Sequence, residues 1–201
     1  MKESLSTKDR ILETALKLFS KKGYLGATTR EIAKEAGIAE ITLFRYFSSK
    51  EELFGSVLNK YSFLPVLKGL LPEITHLPYE EGLKAIAEKF LDVLNSRKDI
   101  IQIMHSEIHR YPEKIHEIYH SFIDEILKVL ASYFDGLKKK KVLREFNSEF
   151  GARAFLGMLF SYFNLEELLL RKKYKSIDAG LITKHFIDIF MNGTLKKGAK
   201  P

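Results

Sequence analysis

The chain has 201 residues, 45% of them apolar and 12% aromatic, enough to bury a substantial core in one domain or in a small unit joined to a larger one. It has no cysteine, which excludes disulfides and thiolate metal centres. Of the formal net charge of +7, residues 1–50 carry +4 (ten Lys and Arg against six Asp and Glu), a balance that suits a polyanionic partner. No leader pattern opens the sequence, and its longest apolar stretch, 154–165, falls short of the roughly 20 residues that span a bilayer. A soluble, cytoplasmic protein with no membrane partner is therefore expected.

Strand signals are missing and helical spacing runs throughout, so the expected fold is all-α. Ile11, Ala15, Leu18 and Phe19 share one face of a first helix, opened by Ser6 or Thr7 and closed at Gly23. A second helix over 28–36 starts with Thr28-Thr29-Arg30-Glu31, where Thr28 and Glu31 have the spacing of a capping box. Gly37 ends it, and a short third helix covers 39–47. Ser49-Lys50-Glu51-Glu52 is another capping box and opens a fourth helix through Leu53, Val57 and Tyr61. Pro65, Pro72 and Pro78 then punctuate a looser connection, which reads as a change of structural unit. Beyond it, amphipathic helices are expected over 79–95, 98–110, 113–136, 148–171 and 178–194. Pro112 suits the first position of the third of these, and Gly136 with the lysines of 138–141 marks a turn whose charges read as solvated.

Residues 28–47 have what a helix-turn-helix needs: two short helices, the small Ala33 where they cross, and Gly37 to supply positive φ in the turn. Ile32, Ala36, Ile38, Leu43 and Phe47 form the inward face, leaving Glu40, Ile41, Thr42, Phe44, Arg45 and Tyr46 for an outward one or its edges. Such a unit lays its second helix in the major groove of duplex DNA. Arg45 and Lys50 are candidates for phosphate contacts, as are the helix-starting amides near Thr28 and Ser49. Glu40, Ile41 and Thr42, at the start of the third helix, are the candidates for base edges; an ionised Glu40 only accepts, so cytosine N4 is its natural partner.

These residues resemble the signature of the tetracycline-repressor (TetR) family. The resemblance is carried by Thr28-Thr29-Arg30-Glu31-Ile32-Ala33-Lys34-Glu35-Ala36-Gly37-Ile38 and by Thr42-Leu43-Phe44-Arg45-Tyr46-Phe47-Ser48-Ser49-Lys50-Glu51-Glu52-Leu53. Ile11-Leu12-Glu13-Thr14-Ala15-Leu16-Lys17-Leu18-Phe19 and Lys22-Gly23-Tyr24 look like the family's first helix, and the match covers residues 7–58. The resemblance implies that Thr28, Thr29, Phe44, Tyr46 and Lys50 lie where the family contacts phosphates or nearby sugars. Arg30, Glu40, Ile41, Thr42 and Arg45 lie where it reaches bases or the backbone. Phe44 departs from a usual tyrosine and loses a hydroxyl contact, while Ile41 replaces a residue that is usually small, and both bear on the operator sequence.

The resemblance further implies a homodimer, with a DNA-binding domain at 1–48 and an effector-binding and dimerisation domain at 49–201. The phrase Glu107-Ile108-His109-Arg110-Tyr111-Pro112-Glu113 also looks like one common in the family. The expected function is a transcriptional regulator, most often a repressor, that grips a palindromic operator and is released by a small apolar or amphipathic effector. Phe155, Phe163, Ile182, Phe186, Ile189 and Phe190 are the candidates for the dimer interface. Phe90, Met104, Phe122, Ile126, Phe155, Met158 and Tyr162 are those for the effector pocket.

A reading from another class is carried by His116-Glu117-Ile118-Tyr119-His120, which matches the H-E-x-x-H of zinc proteases on an expected helix. His105 and His109 repeat the spacing. A third ligand at suitable spacing is missing, no strand is available to hold an extended peptide, and Ile115, Ile118, Phe122 and Ile126 read as an inward face that leaves these histidines at a solvent edge. No enzyme activity, cofactor or metal is expected.

Overall fold

The first helix, α1 (Thr7–Gly26), opens on Ser6, whose side chain accepts from the Asp9 amide. Its expected stop at Gly23 is a break within it: Gly23 adopts φ 72° and ψ 174°, after which one further turn forms. This computed structural model describes residues 5–169, 178–196 and 198. The chain folds as two compact units, Met1–Ser62 with Arg97–Phe122 and Phe63–Ser96 with Ile123–Pro201.

In unit one, α2 (Thr29–Glu35) carries the full capping box, with Thr28 Oγ1 accepting from Glu31 N at 3.2 Å and the Glu31 carboxylate accepting from Thr28 N at 3.3 Å. After the turn come α3 (Glu40–Tyr46) and α4 (Lys50–Tyr61). At the latter's start Ser49 Oγ accepts from Glu52 N at 3.1 Å, and the Glu52 carboxylate reaches back to Ser48 N at 2.7 Å. Ile11, Ala15, Phe19, Ile32, Leu43, Phe47, Leu53 and Phe54 bury together. Ile100 and Met104 of α7 (Lys98–Glu107) join this core, as does Ile115 of α8 (Glu113–Lys139). The expected helix over 98–110 is divided. A 3-10 turn, Ile108–Arg110, follows α7, and Tyr111 is extended (φ −72°, ψ 143°), the conformation that the ring of Pro112 imposes on its predecessor.

Gly23 shows why glycine stands there. Beyond its positive φ, a Cβ would fall inside the Glu107 carboxylate. Gly23→Ala is expected to destabilise unit one by about 1–3 kcal/mol, from backbone strain of this kind, with loss of the Glu107 packing in addition. Urea unfolding of both proteins checks it, and equal midpoints would contradict it.

In unit two the looser, proline-marked connection is itself a helix, α5 (Phe63–Ile74), which corrects the sequence reading. Pro65 lies in the first turn, where an amide has no intrahelical acceptor to lose, and Pro72 gives up a single bond in the last. Burial of Phe63, Leu64, Leu67 and Ile74 on one face outweighs that loss. There follow α6 (Tyr79–Ser96), α8 from Ile123 onward, α9 (Ser148–Phe163), which continues as a π turn through Asn164–Leu169, and α10 (Ala179–Thr194). Asn147 and Asp178 cap the last two helices, accepting from Phe150 N and Leu181 N. The end of the helix expected over 148–171 lies outside the described residues. Phe155, Phe190 and Phe134 stack in sequence, with centroids 5.0 and 5.6 Å apart.

In the basic run at the end of α8, Lys138 is half-buried and Lys139, Lys140 and Lys141 are exposed, as is Arg144 beyond it, yet three of these cations find backbone acceptors. Lys138 Nζ donates to Phe146 O at 3.0 Å, Lys140 Nζ to Thr75 O at 3.0 Å, and Arg144 Nε to Gly193 O at 2.6 Å. Two of these carbonyls lie at the ends of α5 and α10, so the cations cap helices distant in sequence. Among the described residues the only β pairing is an isolated bridge, Leu143 with Leu195.

Candidate nucleic-acid interface

The turn between α2 and α3 is fixed by Gly37 (φ 69°), with Ile38 N donating to Ala33 O at 3.0 Å. Ala33 is buried and small enough for the two helices to approach. Ile32, Ala36, Leu43 and Phe47 point inward and Ile38 is half-buried. The remaining face of α3 is open: Ile41 is 68% exposed, Phe44 44% and Tyr46 43%, with Arg45 exposed among them. Three large apolar or aromatic side chains left in water on a seven-residue helix mark a contact surface rather than a solvated face.

The first turns of the two helices are tied directly. Thr29 Oγ1 donates to Glu40 Oε1 at 2.7 Å, so part of the Glu40 accepting capacity is used to hold α3 against α2. Thr42 is half-buried beside it, and Arg30 is exposed. Thr28 is occupied by its capping box. Around this face, Lys22 pairs with Glu31 at 2.9 Å and Lys17 with Glu35 at 3.7 Å, which neutralises two of the carboxylates on α2. The hydrogen bond from Lys22 holds the exposed Glu31 carboxyl below its ordinary range.

Lys50 stands apart from the other candidates. Its ammonium lies 4.3 Å above the Tyr24 ring centroid and is half-buried, folded back onto its own unit. Burial pulls it below the ordinary lysine value, while Glu51 and Glu107 pull it up. Tyr24 donates from its hydroxyl to Glu51 Oε1 at 2.6 Å, a bond that lowers the Glu51 carboxyl. Burial first, and then Glu51, raise the Tyr24 phenol. This cluster escaped the sequence reading, because its members are far apart in the chain and no motif joins them.

The candidates for the pocket and the interface are dispersed. Met104 and Phe122 belong to unit one; Phe90, Ile126, Phe155, Met158 and Tyr162 belong to unit two. Of the residues expected at the dimer interface, Phe155, Phe163 and Phe190 are buried within unit two. Ile182 and Phe186 are half-buried, and Ile189 is 61% exposed. The open apolar residues of α9, its π continuation and α10 are instead Phe150, at 71%, with Leu165, Leu169, Leu181 and Ile189. A helix apolar on nearly all sides gives no phase in sequence, so only the packed fold separates these from the core.

His116 and His120 lie on α8 with Glu117, which pairs with Lys114 at 3.4 Å. Among the described residues no group of three or more His, Asp or Glu side chains is placed to hold a metal ion. No helix among them is long and apolar enough to cross a membrane.

Two family models match the chain: that of bacterial regulatory proteins of the tetR family over residues 11–57, and that of the C-terminal domain of AefR-like transcriptional repressors over 81–192. The chain is 30% identical over 187 residues to the HTH-type transcriptional regulator YvkB of Bacillus subtilis, covering 93% of this chain and 96% of that one. It is 30% identical over 137 residues to IcaR of Staphylococcus epidermidis, the HTH-type negative transcriptional regulator of the biofilm operon icaADBC, covering 64% and 69%. The solved structure of the flavonoid-responsive regulator FrrA superposes with a TM-score of 0.70 at 23% identity, covering 96% of this chain and 98% of that one, a likeness of fold. With both of its parts matched, the chain belongs to the TetR family of DNA-binding transcriptional regulators and is not an enzyme.

Proposed function

We propose that the protein is a ligand-responsive repressor that binds a palindromic operator as a homodimer. The observation that carries DNA reading is the open face of α3, where Ile41, Phe44, Arg45 and Tyr46 lie exposed beside a Glu40 braced by Thr29. On this reading Ile41, Thr42 and Glu40 meet base edges, with Ile41 suited to a thymine methyl. Thr28, Thr29, Arg30, Phe44, Arg45 and Tyr46 meet the backbone or its sugars, and Lys50 does so once it leaves Tyr24. Two copies of α3 would enter successive major grooves about 34–36 Å apart. Exposed Phe150, Leu181 and Ile189 supply apolar surface for pairing two chains through α9 and α10.

Repression accords with the negative regulation named for IcaR. The response to a ligand accords with the flavonoid-responsive FrrA and with the aromatic and methionine side chains of unit two, Phe90, Met158 and Tyr162 among them. An apolar or amphipathic effector that binds more tightly when the two α3 helices are differently spaced shifts the population away from DNA. Selection of bound fragments from the host genome tests this. An enriched inverted repeat upstream of a gene, with higher expression of that gene when the regulator is removed, is expected. Enrichment without internal symmetry, or lower expression, would contradict the palindrome or the repression respectively.

A further inference from the structure

Unit two holds a groove of about 420 Å³ between α5 and α8, and none of the residues expected for an effector pocket lines it. Leu71 and Pro72 line it from α5, and Val129, Tyr133 and Leu137 from α8, the last two buried. Lysines bridge both of its ends. Lys68 Nζ pairs with Glu125 at 2.7 Å at one end, and Lys140 Nζ donates to Thr75 O at 3.0 Å at the other. Between them the groove follows α8 from Val129 to Lys140, a rise of roughly 16 Å.

The two ends differ in charge. Lys68 is neutralised by Glu125, whereas Lys140 has a neutral acceptor, no carboxylate partner among the described residues, and Lys139 and Lys141 beside it in the chain. Gly136 completes the lining from the interior of α8, where a glycine costs helix stability. Neither a positive φ nor a close neighbour requires it there, because a Cβ would meet nothing within 4 Å. What its missing side chain preserves is the space of the groove. The Tyr133 hydroxyl, buried against Gly82 of α6, has no hydrogen-bond partner among the described residues, so packing alone fixes the ring beneath that space.

We propose that this groove binds a single-chain amphiphile with an anionic head, its carboxylate at Lys140 and its apolar chain running along Leu71, Val129 and Leu137 toward Lys68. Charge selects the head: the uncompensated end is cationic and would repel an ammonium. Shape selects the tail, since so small a volume spread over that length leaves a narrow cross-section that suits an unbranched chain. The site gives a place and a ligand class to the effector response proposed above, and it rests on that reading only for its effect on DNA.

Full-length wild type, Gly136→Leu, Lys140→Gln and Ser132→Glu are titrated by calorimetry, without DNA, with decanoate, decanol and decylammonium below micelle formation. Wild type is expected to bind one decanoate per chain, about ten-fold more tightly than decylammonium. Gly136→Leu fills the groove and is expected to weaken decanoate by about ten-fold or more, at equal or higher thermal stability, since leucine favours helix. Lys140→Gln should weaken decanoate about two- to five-fold and leave decanol unchanged. The proposal is overturned by the absence of saturable decanoate binding, by equal affinity for the two charged heads, or by a decanoate affinity that neither Gly136→Leu nor Lys140→Gln changes. If Gly136→Leu does not fold, Ser132→Glu replaces it: Ser132 lies exposed on the same side of the groove, and a carboxylate there should weaken decanoate about two- to five-fold and spare decanol. An unchanged decanoate affinity in that variant overturns the proposal equally. Operator binding is then measured with decanoate present. Release of wild type but not of Gly136→Leu supports the effector role, whereas decanoate binding without release refutes that role and leaves the site itself supported.

Discussion

Phe54→Ala is expected to destabilise unit one by about 3–5 kcal/mol, the range for emptying a large aromatic site in a closed core. Phe54 is completely buried, with the Phe19 ring 5.3 Å away edge-on and the Tyr24 ring 5.1 Å away. Truncation removes the partner of both rings and leaves a cavity between α1 and α4 that helices pinned by Ser6 and Ser49 cannot readily close. Chemical denaturation reads the loss directly. Phe44→Ala is the internal control: the same deletion at an exposed site is expected to change stability by no more than about 0.5 kcal/mol. Comparable losses in the two variants would contradict the division of α3 and α4 into inward and outward faces.

Replacing Arg45 and Tyr46 together by alanine is expected to reduce DNA affinity about 10- to 100-fold at moderate salt, with little effect on folding. Both side chains are exposed, so their removal opens no cavity. Arg45 loses a phosphate partner, which should make the salt slope shallower by about 0.9 for each recognition helix. The loss should be similar on operator and random duplexes, because backbone contacts carry no sequence information. Unchanged affinity at equal stability would show that the outward face of α3 does not meet DNA.

Much of unit one is legible in sequence because its chemistry is local. The Thr28–Glu31 box, the Ser49 cap and Gly37 specify their structure within a few residues, and the spacing of Ile32, Leu43 and Phe47 identifies the inward face. Other features depend on partners far along the chain. Residues 63–74 carry two prolines that read as breaks, yet Pro65 falls in the first turn, where it costs least, and burial of one face holds the helix through Pro72. Lys140 and Arg144 stay exposed, but their acceptors, Thr75 O and Gly193 O, cannot be read from the residues around them. Lys50 reads as a free phosphate ligand; only packing shows it folded over Tyr24. On α9 and α10, Phe155 and Phe150 are equivalent as sequence, and the position of unit two's core alone makes one internal and the other exposed.

On the proposed function, α3 reads DNA sequence through its first turn. Operator selection carried out in parallel with wild type and with Ile41→Ala tests it most directly. The expected result is a consensus that changes at the same base pairs in both half-sites, with tolerance gained where a thymine methyl had packed against Ile41, while non-specific affinity stays within about three-fold, since Ile41 carries no charge for phosphate. An unchanged consensus at either affinity would contradict it.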